Sequence, residues 1–316
     1  MVFLKRNPWV AVVAFVVFLS GYTVAFSPPK NFSDSIVIIS KGTSVSRVAQ
    51  QLSDAHVVSH PTILRYMLRA FGESGSVQSG AYHFKKPENI FVVIRRIVTG
   101  AYDLNPVRIT FTEGMTVRDI ATRITETLPS ISAKDFMALA SPYEGYLFPD
   151  TYFFSLSSDA NSIITVMRAN FDKKIKTISS DVDASGHSLS DIVTLASIIE
   201  KEVRTPENKR IVAGILWSRL AIGMPLQVDA VFGYIFKRDT YSPSFADLKV
   251  DSPYNTYTHK GLPPGPISNP GIESIKAVLH PTKTDYLYYL TGKDTLMHYA
   301  TTFAGHQINR KKYLDI

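Results

Sequence analysis

Cysteine is absent from the 316 residues, which excludes disulfides, thiolate zinc sites and cysteine nucleophiles in one step. That absence suits an oxidising compartment without proving one. No glycine-rich phosphate loop and no Gly-x-Ser-x-Gly elbow occurs, so phosphate cradles and α/β-hydrolase chemistry lack their signatures. His259, His280, His298 and His306 are dispersed, without paired helical spacing or cysteine partners, so neither a metal site nor a cofactor is expected. Low-complexity segments are missing. Charge is thin and nearly balanced: 34 Lys and Arg against 27 Asp and Glu leave +7, spread along the chain. A nucleic-acid binder would concentrate its charge into a dense basic stripe. A mildly basic surface suits an anionic membrane face or an acidic polymer.

What is present describes a globular chain. Hydrophobic content of 45% with 11% aromatic argues against disorder, and the length accommodates an anchor and about two domains. Lys5 and Arg6 precede an uncharged apolar run from Trp9 to Phe26, at the short end of what spans a bilayer. Basic residues before the run place the N-terminus in the cytoplasm and the body outside it. A cleaved signal peptide, with Thr23 to Ala25 as its cleavage region, is the competing reading. Trp9 as an interfacial anchor and the length of the run favour a retained helix.

After a linker at Ser27–Ser33, Ser35–Ser40 reads as a β-branched strand. A glycine turn and a helix follow, with Val45, Val48, Ala49 and Leu52 on one face. The same phrase returns as Val107–Phe111, Gly114 and a helix with Val117, Ile120, Ala121 and Ile124 inward. Thr43 or Ser44, and Thr116, are suitable N-caps. Ser79–Phe84 is another expected strand and Ile90–Val98 another helix. Asp191–Ile222 is helical, broken at Pro206 and resuming with Ile211, Ile215 and Leu216 inward. Tyr286–Leu290 is an aromatic strand with a turn at Asp294–Leu296.

The phrase Leu195-Ala-Ser-Ile-Ile-Glu-Lys-Glu202 carries the chemistry. Leu195, Ile198 and Ile199 recur at helical intervals, and Glu202 continues their stripe inward. Glu200 stands about 200° around the helix from Glu202, so it is expected to face solvent or a partner charge. Desolvation raises the pKa of an inward acid, the condition under which it keeps a proton to donate near neutral pH. The competing reading is an acid neutralised by Arg or Lys. Further phrases accompany it: Glu144-Gly-Tyr-Leu-Phe-Pro-Asp-Thr-Tyr152, Gly223–Asp229, Ser252-Pro-Tyr-Asn-Thr-Tyr257 and Gly261-Leu-Pro-Pro-Gly-Pro-Ile-Ser-Asn-Pro270. The last is too rich in proline and glycine for a helix or central strand, so it is a stiff loop. Beside Tyr254, Asn255 and Tyr257 it is expected to form a cleft wall suited to sugar rings.

With these phrases in this order, the chain resembles the endolytic murein transglycosylases of the MltG (YceG-like) family. Asn208–Gly223 with Arg219-Leu220, Leu226-Gln-x-Asp229 and Leu279-His-Pro-Thr-Lys283 add to the resemblance, which covers nearly everything after the apolar run. It implies an α+β protein: a cytoplasmic tail (1–8), a transmembrane anchor (9–26), a small LysM-like module (33–104) and a mixed α+β catalytic domain (105–316). A plain spacer domain is the alternative for 33–104. The family cuts the β-1,4 bond between N-acetylmuramic acid and N-acetylglucosamine within nascent peptidoglycan strands and leaves 1,6-anhydromuramyl ends. Its catalytic glutamate matches Glu202. Gln227, Asp229, Tyr254, Asn255 and Tyr257 become substrate-binding candidates, and Glu144 either holds a loop or lines the cleft. Val228 and Ala230 depart from the Thr and Pro that relatives often carry. The implied partners are peptidoglycan, the inner membrane and cell-wall synthases, with no nucleic acid. A hydrolytic muramidase using Asp229 or Asp251 to activate water, and a non-catalytic glycan-binding scaffold, remain as rivals.

Overall fold

Short polar side chains cap seven of the described helices, and they decide where those elements begin. The computed structural model describes residues 9–10, 12–13, 15–16, 26–40, 42–71, 77–103, 106–238 and 242–314. The expected cytoplasmic tail and most of the expected anchor lie outside these residues. Among the described residues no helix is long and apolar enough to cross a membrane. The chain divides into two compact units, Met1–Val107 with Phe153–Ser158, and Arg108–Tyr152 with Asp159–Ile316.

In the first unit β1 (Ser35–Ile39) pairs antiparallel with β2 (Gly80–Phe84), Ser35 opposite Phe84 and Ile39 opposite Gly80. Between them lie α1 (Val45–Asp54) and α2 (Pro61–Phe71), and α3 (Ile90–Thr99) follows. Ser44 rather than Thr43 caps α1, its side chain accepting from the Arg47 N–H. Asn89 caps α3, which ends on Gly100 in the left-handed conformation. Val37, Ile39, Val48, Leu52, Tyr82, Phe84, Val93 and Ile97 share one core. Arg96 is buried beside them and satisfied, donating to Glu88 and to the carbonyls of His83, Ala101 and Tyr102.

The second unit holds Arg108–Thr110 of β3 (Val107–Thr110) and Thr151 and Tyr152 of its partner β4 (Thr151–Phe154), then α4 (Val117–Thr127), α5 (Ala133–Ala140), α6 (Ala160–Lys176) and α7 (Ser179–Ala184). Thr116 and Asp119 close α4 with a reciprocal capping box. The centre is α8 (Leu189–Glu202), packed by α9 (Pro206–Ala221), α10 (Ala230–Phe236) and α11 (Ile272–Leu279). Pro206 opens α9 at its first turn behind the Thr205 cap, where its missing N–H costs nothing. On α9, Ile215 and Leu216 are buried as expected, but Ile211 is only partly so, and Val212 and Ala213 take the inward positions. The hairpin of β5 (Tyr288–Thr291) and β6 (Met297–Ala300) packs against the final helix, α12 (Phe303–Leu314). Ile192, Leu195, Ile198, Ile199, Leu216, Phe232, Ile275 and Val278 form the core.

Candidate active site

Every residue of α8 from Ile192 to Ile199 is buried, so this helix threads the core rather than presenting one apolar face to it. That enclosure explains both of its glutamates. Glu200 is not solvated: its carboxylate meets Lys209 Nζ at 2.8 Å, the two side chains being only 8% and 6% exposed. It also accepts from Gly271 N–H at 2.9 Å and from Ser274 Oγ at 2.7 Å. The partner charge that the sequence allowed is Lys209, and solvent is excluded because Lys209, Gly271 and Ser274 cover the carboxylate. Glu200 is a buried brace.

Glu202 sits at the end of α8, and its partners are neutral donors. The Ala230 N–H donates to Oε1 at 3.0 Å, and the Tyr289 hydroxyl to Oε2 at 3.4 Å. Burial pushes the carboxyl up to about 7 and the Asp229 charge pushes the same way. The Ala230 N–H and Tyr289 O–H, which favour the charged form, oppose the rise. Near neutral pH this group exists as both acid and carboxylate. Glu202 faces a cavity of about 470 Å³ that Asp229, Arg118, Lys201 and Tyr234 also line.

The turn entering α10 supplies the opposite wall. Gln227 adopts φ 48°, the left-handed region that non-glycine residues avoid at a cost of order 1–2 kcal/mol. Its N–H donates to the Thr256 carbonyl at 3.1 Å and the Val228 N–H to Thr256 Oγ1 at 3.1 Å, which holds the strained turn. The Gln227 side chain is exposed. Asp229 accepts from the Tyr257 hydroxyl at 2.6 Å, and burial, followed by this bond, raises the Tyr257 phenol. The departure at Ala230 has a direct consequence, since a proline there would have no N–H to give Glu202.

Two candidates have different duties from those expected. Asn255 is fully buried. Its amide donates to the Leu248 and Val250 carbonyls and its Oδ1 accepts from Tyr257 N–H, so its polar capacity is consumed by its own loop. It holds Tyr257 in place and does not present an amide to a ligand. The proline-glycine loop is likewise a brace more than a cleft wall. Ile267 N–H donates to Ser197 Oγ and Ser268 Oγ to the Ser197 carbonyl, both on α8. Asn269 ties Met115, Glu144 and Leu147 together. Gly145 sits at φ +85°, and a Cβ there would overlap Pro266, so only glycine lets the two loops meet. Of this loop, Ile267 reaches the Glu202 cavity.

Glu144 accepts from the Val117 N–H with both oxygens at 3.1 Å and from Asn269 Nδ2 at 3.0 Å. Burial raises its carboxyl to about 7, with the Val117 N–H opposing. It therefore holds a loop and also lines a second cavity of about 310 Å³ with Tyr254, whose ring packs 5.0 Å from that of Tyr234. Both cavities share Thr116, Arg118, Tyr234 and Lys237, so they form one groove from Glu202 to Glu144. Asp251 lines neither cavity. Sequence reading missed Tyr289, Tyr234 and Arg118. Tyr289 lies within the expected aromatic strand, but nothing local marks its hydroxyl as the partner of an acid 87 residues away. Buried Arg219 supports that partner by donating to the Leu287 and Leu226 carbonyls at 2.7 and 2.6 Å, joining the hairpin to the Gln227 turn.

A mixed α+β unit with two desolvated glutamates, Glu202 and Glu144, along one open groove defines the class, and comparison with known proteins gives the family. The YceG-like family model matches residues 37–312, and the chain belongs to that family. The chain is 31% identical to an endolytic murein transglycosylase of Bacillus subtilis strain 168, over 94% of this chain and 90% of that protein. It is 26% identical to an endolytic murein transglycosylase of Streptococcus pneumoniae strain D39, over 88% of this chain and 58% of the longer relative. A crystal structure of a yceG-like protein from Listeria monocytogenes superposes with a TM-score of 0.60 at 29% identity, covering 87% of this chain and 98% of that one.

Proposed function

We propose that this chain is an endolytic murein transglycosylase that cleaves glycan strands within peptidoglycan, and that Glu202 is its catalytic acid and base. The observation that carries the assignment is the Glu202 carboxyl, facing the groove and held near pKa 7 by burial among neutral donors. Ordinary glycosidases use two carboxylates, the second acting on water or as a nucleophile. A lytic transglycosylase needs one. Protonated Glu202 gives its proton to the glycosidic oxygen, the bond from the muramyl C1 breaks, and the 4-hydroxyl of N-acetylglucosamine departs. The resulting Glu202 carboxylate takes the proton of the muramyl 6-hydroxyl as that oxygen closes on C1. A 1,6-anhydro ring forms and no water is consumed. Attack by a hydroxyl already tethered to the electrophile has a large proximity advantage.

Asp229 serves this scheme as a neighbouring charge oriented by Tyr257, and Ala230 and Tyr289 orient the acid through their hydrogen bonds. Tyr254 and Tyr234 supply aromatic faces to the groove, and Gln227 offers an exposed amide at its turn. The same reading gives 9–26 the role of a single membrane anchor with the body outside the cytoplasm, and 105–316 that of the catalytic domain. It makes 33–104 a LysM-like module, which the β1-α1-α2-β2 order supports, and cell-wall synthases the partners. The test is to treat purified glycan strands with wild-type protein, Glu202→Gln and Asp229→Asn, then reduce the products with borohydride. New muramyl ends that resist reduction, lost with Glu202→Gln, are expected. Reducible ends lost with Asp229→Asn would establish a muramidase instead.

A further inference from the structure

The groove running from Glu202 to Glu144 contains cations that the cleavage chemistry does not use. Arg118 and Lys237 line both of its cavities, and Lys201 and Arg238 line the Glu202 end. Their acidic neighbours are engaged with neutral donors. Asp119 accepts from the Thr116 N–H and hydroxyl, Asp229 from Tyr257, Glu202 from Ala230 and Tyr289, and Glu144 from Val117 and Asn269. Among the described residues, Arg118 and Lys237 form no ion pair with any of these four carboxylates. Lys237 is held at φ 59° as the left-handed cap of α10, its backbone N–H bonded to Gly233 and Tyr234 carbonyls, so the end of that helix sets its position. Arg118 stands in the first turn of α4 and is half-buried. Two cations from different elements therefore face the middle of a groove, beside a carboxylic acid that works best without a cation.

Resting on the reading of Glu202 as a peptidoglycan-cleaving acid, we infer that Arg118 and Lys237 form a subsite for the carboxylates of the stem peptide carried by the muramyl residue. The chemistry recognised is an anionic carboxylate on a branch of the glycan, seated where the two cavities meet beside the scissile bond. Such a subsite separates strand recognition from proton transfer. The glycan lies over Glu202 and the acidic branch over Arg118 and Lys237, which makes stem-bearing strands better substrates than stripped ones. A peptide-free muramyl residue still carries its lactyl carboxylate, and this shorter anion is the alternative source.

The test compares cleavage by the full chain of uncross-linked strands bearing stems with the same strands stripped by an amidase. The proteins are wild type, Arg118→Gln, Lys237→Asn and the double variant. Asparagine accepts the left-handed conformation required at position 237. Exposed ion pairs contribute little each, so the double variant is expected to lose roughly three- to tenfold in kcat/KM on stem-bearing strands. The loss should fall in KM with kcat kept, the signature of binding shared by ground and transition states. The loss on stripped strands should be clearly smaller than on stem-bearing ones, so that the ratio of the two kcat/KM values falls in the variants, and the wild-type preference should shrink as salt is raised. Equal losses on both substrates would assign the cations to the lactyl carboxylate or to the fold and overturn the stem subsite. Equal wild-type rates on both would overturn it while leaving the Glu202 reading intact. No cleavage of any strand by wild type would remove that reading, and the subsite with it.

Discussion

Replacing Glu202 with glutamine should stabilise the protein, and the gain should depend on pH in a defined direction. In the unfolded chain the carboxyl titrates near its ordinary value of 4.5, and in the folded protein near 7. Between those values the native state holds more protons than the unfolded one, so stability falls as pH rises. Below about 4.5 both states are protonated and Glu202 carries no penalty; above about 7 the native state carries the full cost of a desolvated carboxylate. The interval of about 2.5 pH units corresponds to roughly 3 kcal/mol at 1.36 kcal/mol per unit, an upper figure because the side chain retains some solvent contact. Glutamine never ionises, and its carbonyl oxygen can still accept from the Ala230 N–H. Urea unfolding of wild type and Glu202→Gln between pH 4.5 and 8.5 gives the difference directly. Taking the difference also cancels the parallel contribution of Glu144, raised to about 7 as well. A gain near zero at pH 4.5 that grows to about 2–3 kcal/mol at pH 8.5 is expected. A difference independent of pH would refute the claim that Glu202 is desolvated in the native state.

Other consequences are separable. Glu200→Ala leaves Lys209 buried and unpaired and should destabilise by about 3–5 kcal/mol, read as a lowered urea midpoint. Tyr289→Phe removes a donor that favours the Glu202 carboxylate; the fall in rate on the alkaline side of the pH profile should move to higher pH. Gly214→Ala puts a methyl group into the Thr282 carbonyl, and thermal unfolding should show a loss of about 1–3 kcal/mol.

Local chemistry was legible wherever one segment contained the whole signal. The two strand-turn-helix phrases resolve into β1 with α1 and β3 with α4, turning at Gly42 and Gly114, both at positive φ, and Thr116 supplies its cap. Glu202 could be singled out because its spacing from Ile198 and Ile199 continues a buried stripe. The same spacing left Glu200 open between solvent and a partner charge, since periodicity reports one buried face whereas the middle of α8, Ile192–Ile199, is buried all round and Lys209 meets Glu200. Asn255 was misjudged for a related reason: its residue type suits a sugar, but its amide is spent on carbonyls five and seven residues away. Tyr289 meets Glu202, and Arg118 and Lys237 meet the groove, from segments far apart in sequence, and no local pattern predicts such meetings.

The measurement that tests the central claim most directly is digestion of glycan strands in heavy-oxygen water, followed by mass spectrometry of the new muramyl ends. If Glu202 drives intramolecular closure by the 6-hydroxyl, wild-type products will be lighter than hydrolytic ones by one water and will carry no heavy oxygen. Glu202→Gln will yield no product. Heavy oxygen at the new ends would show that water attacked the anomeric carbon, and product formation by Glu202→Gln would show that another group supplies the proton. Either result would contradict the account.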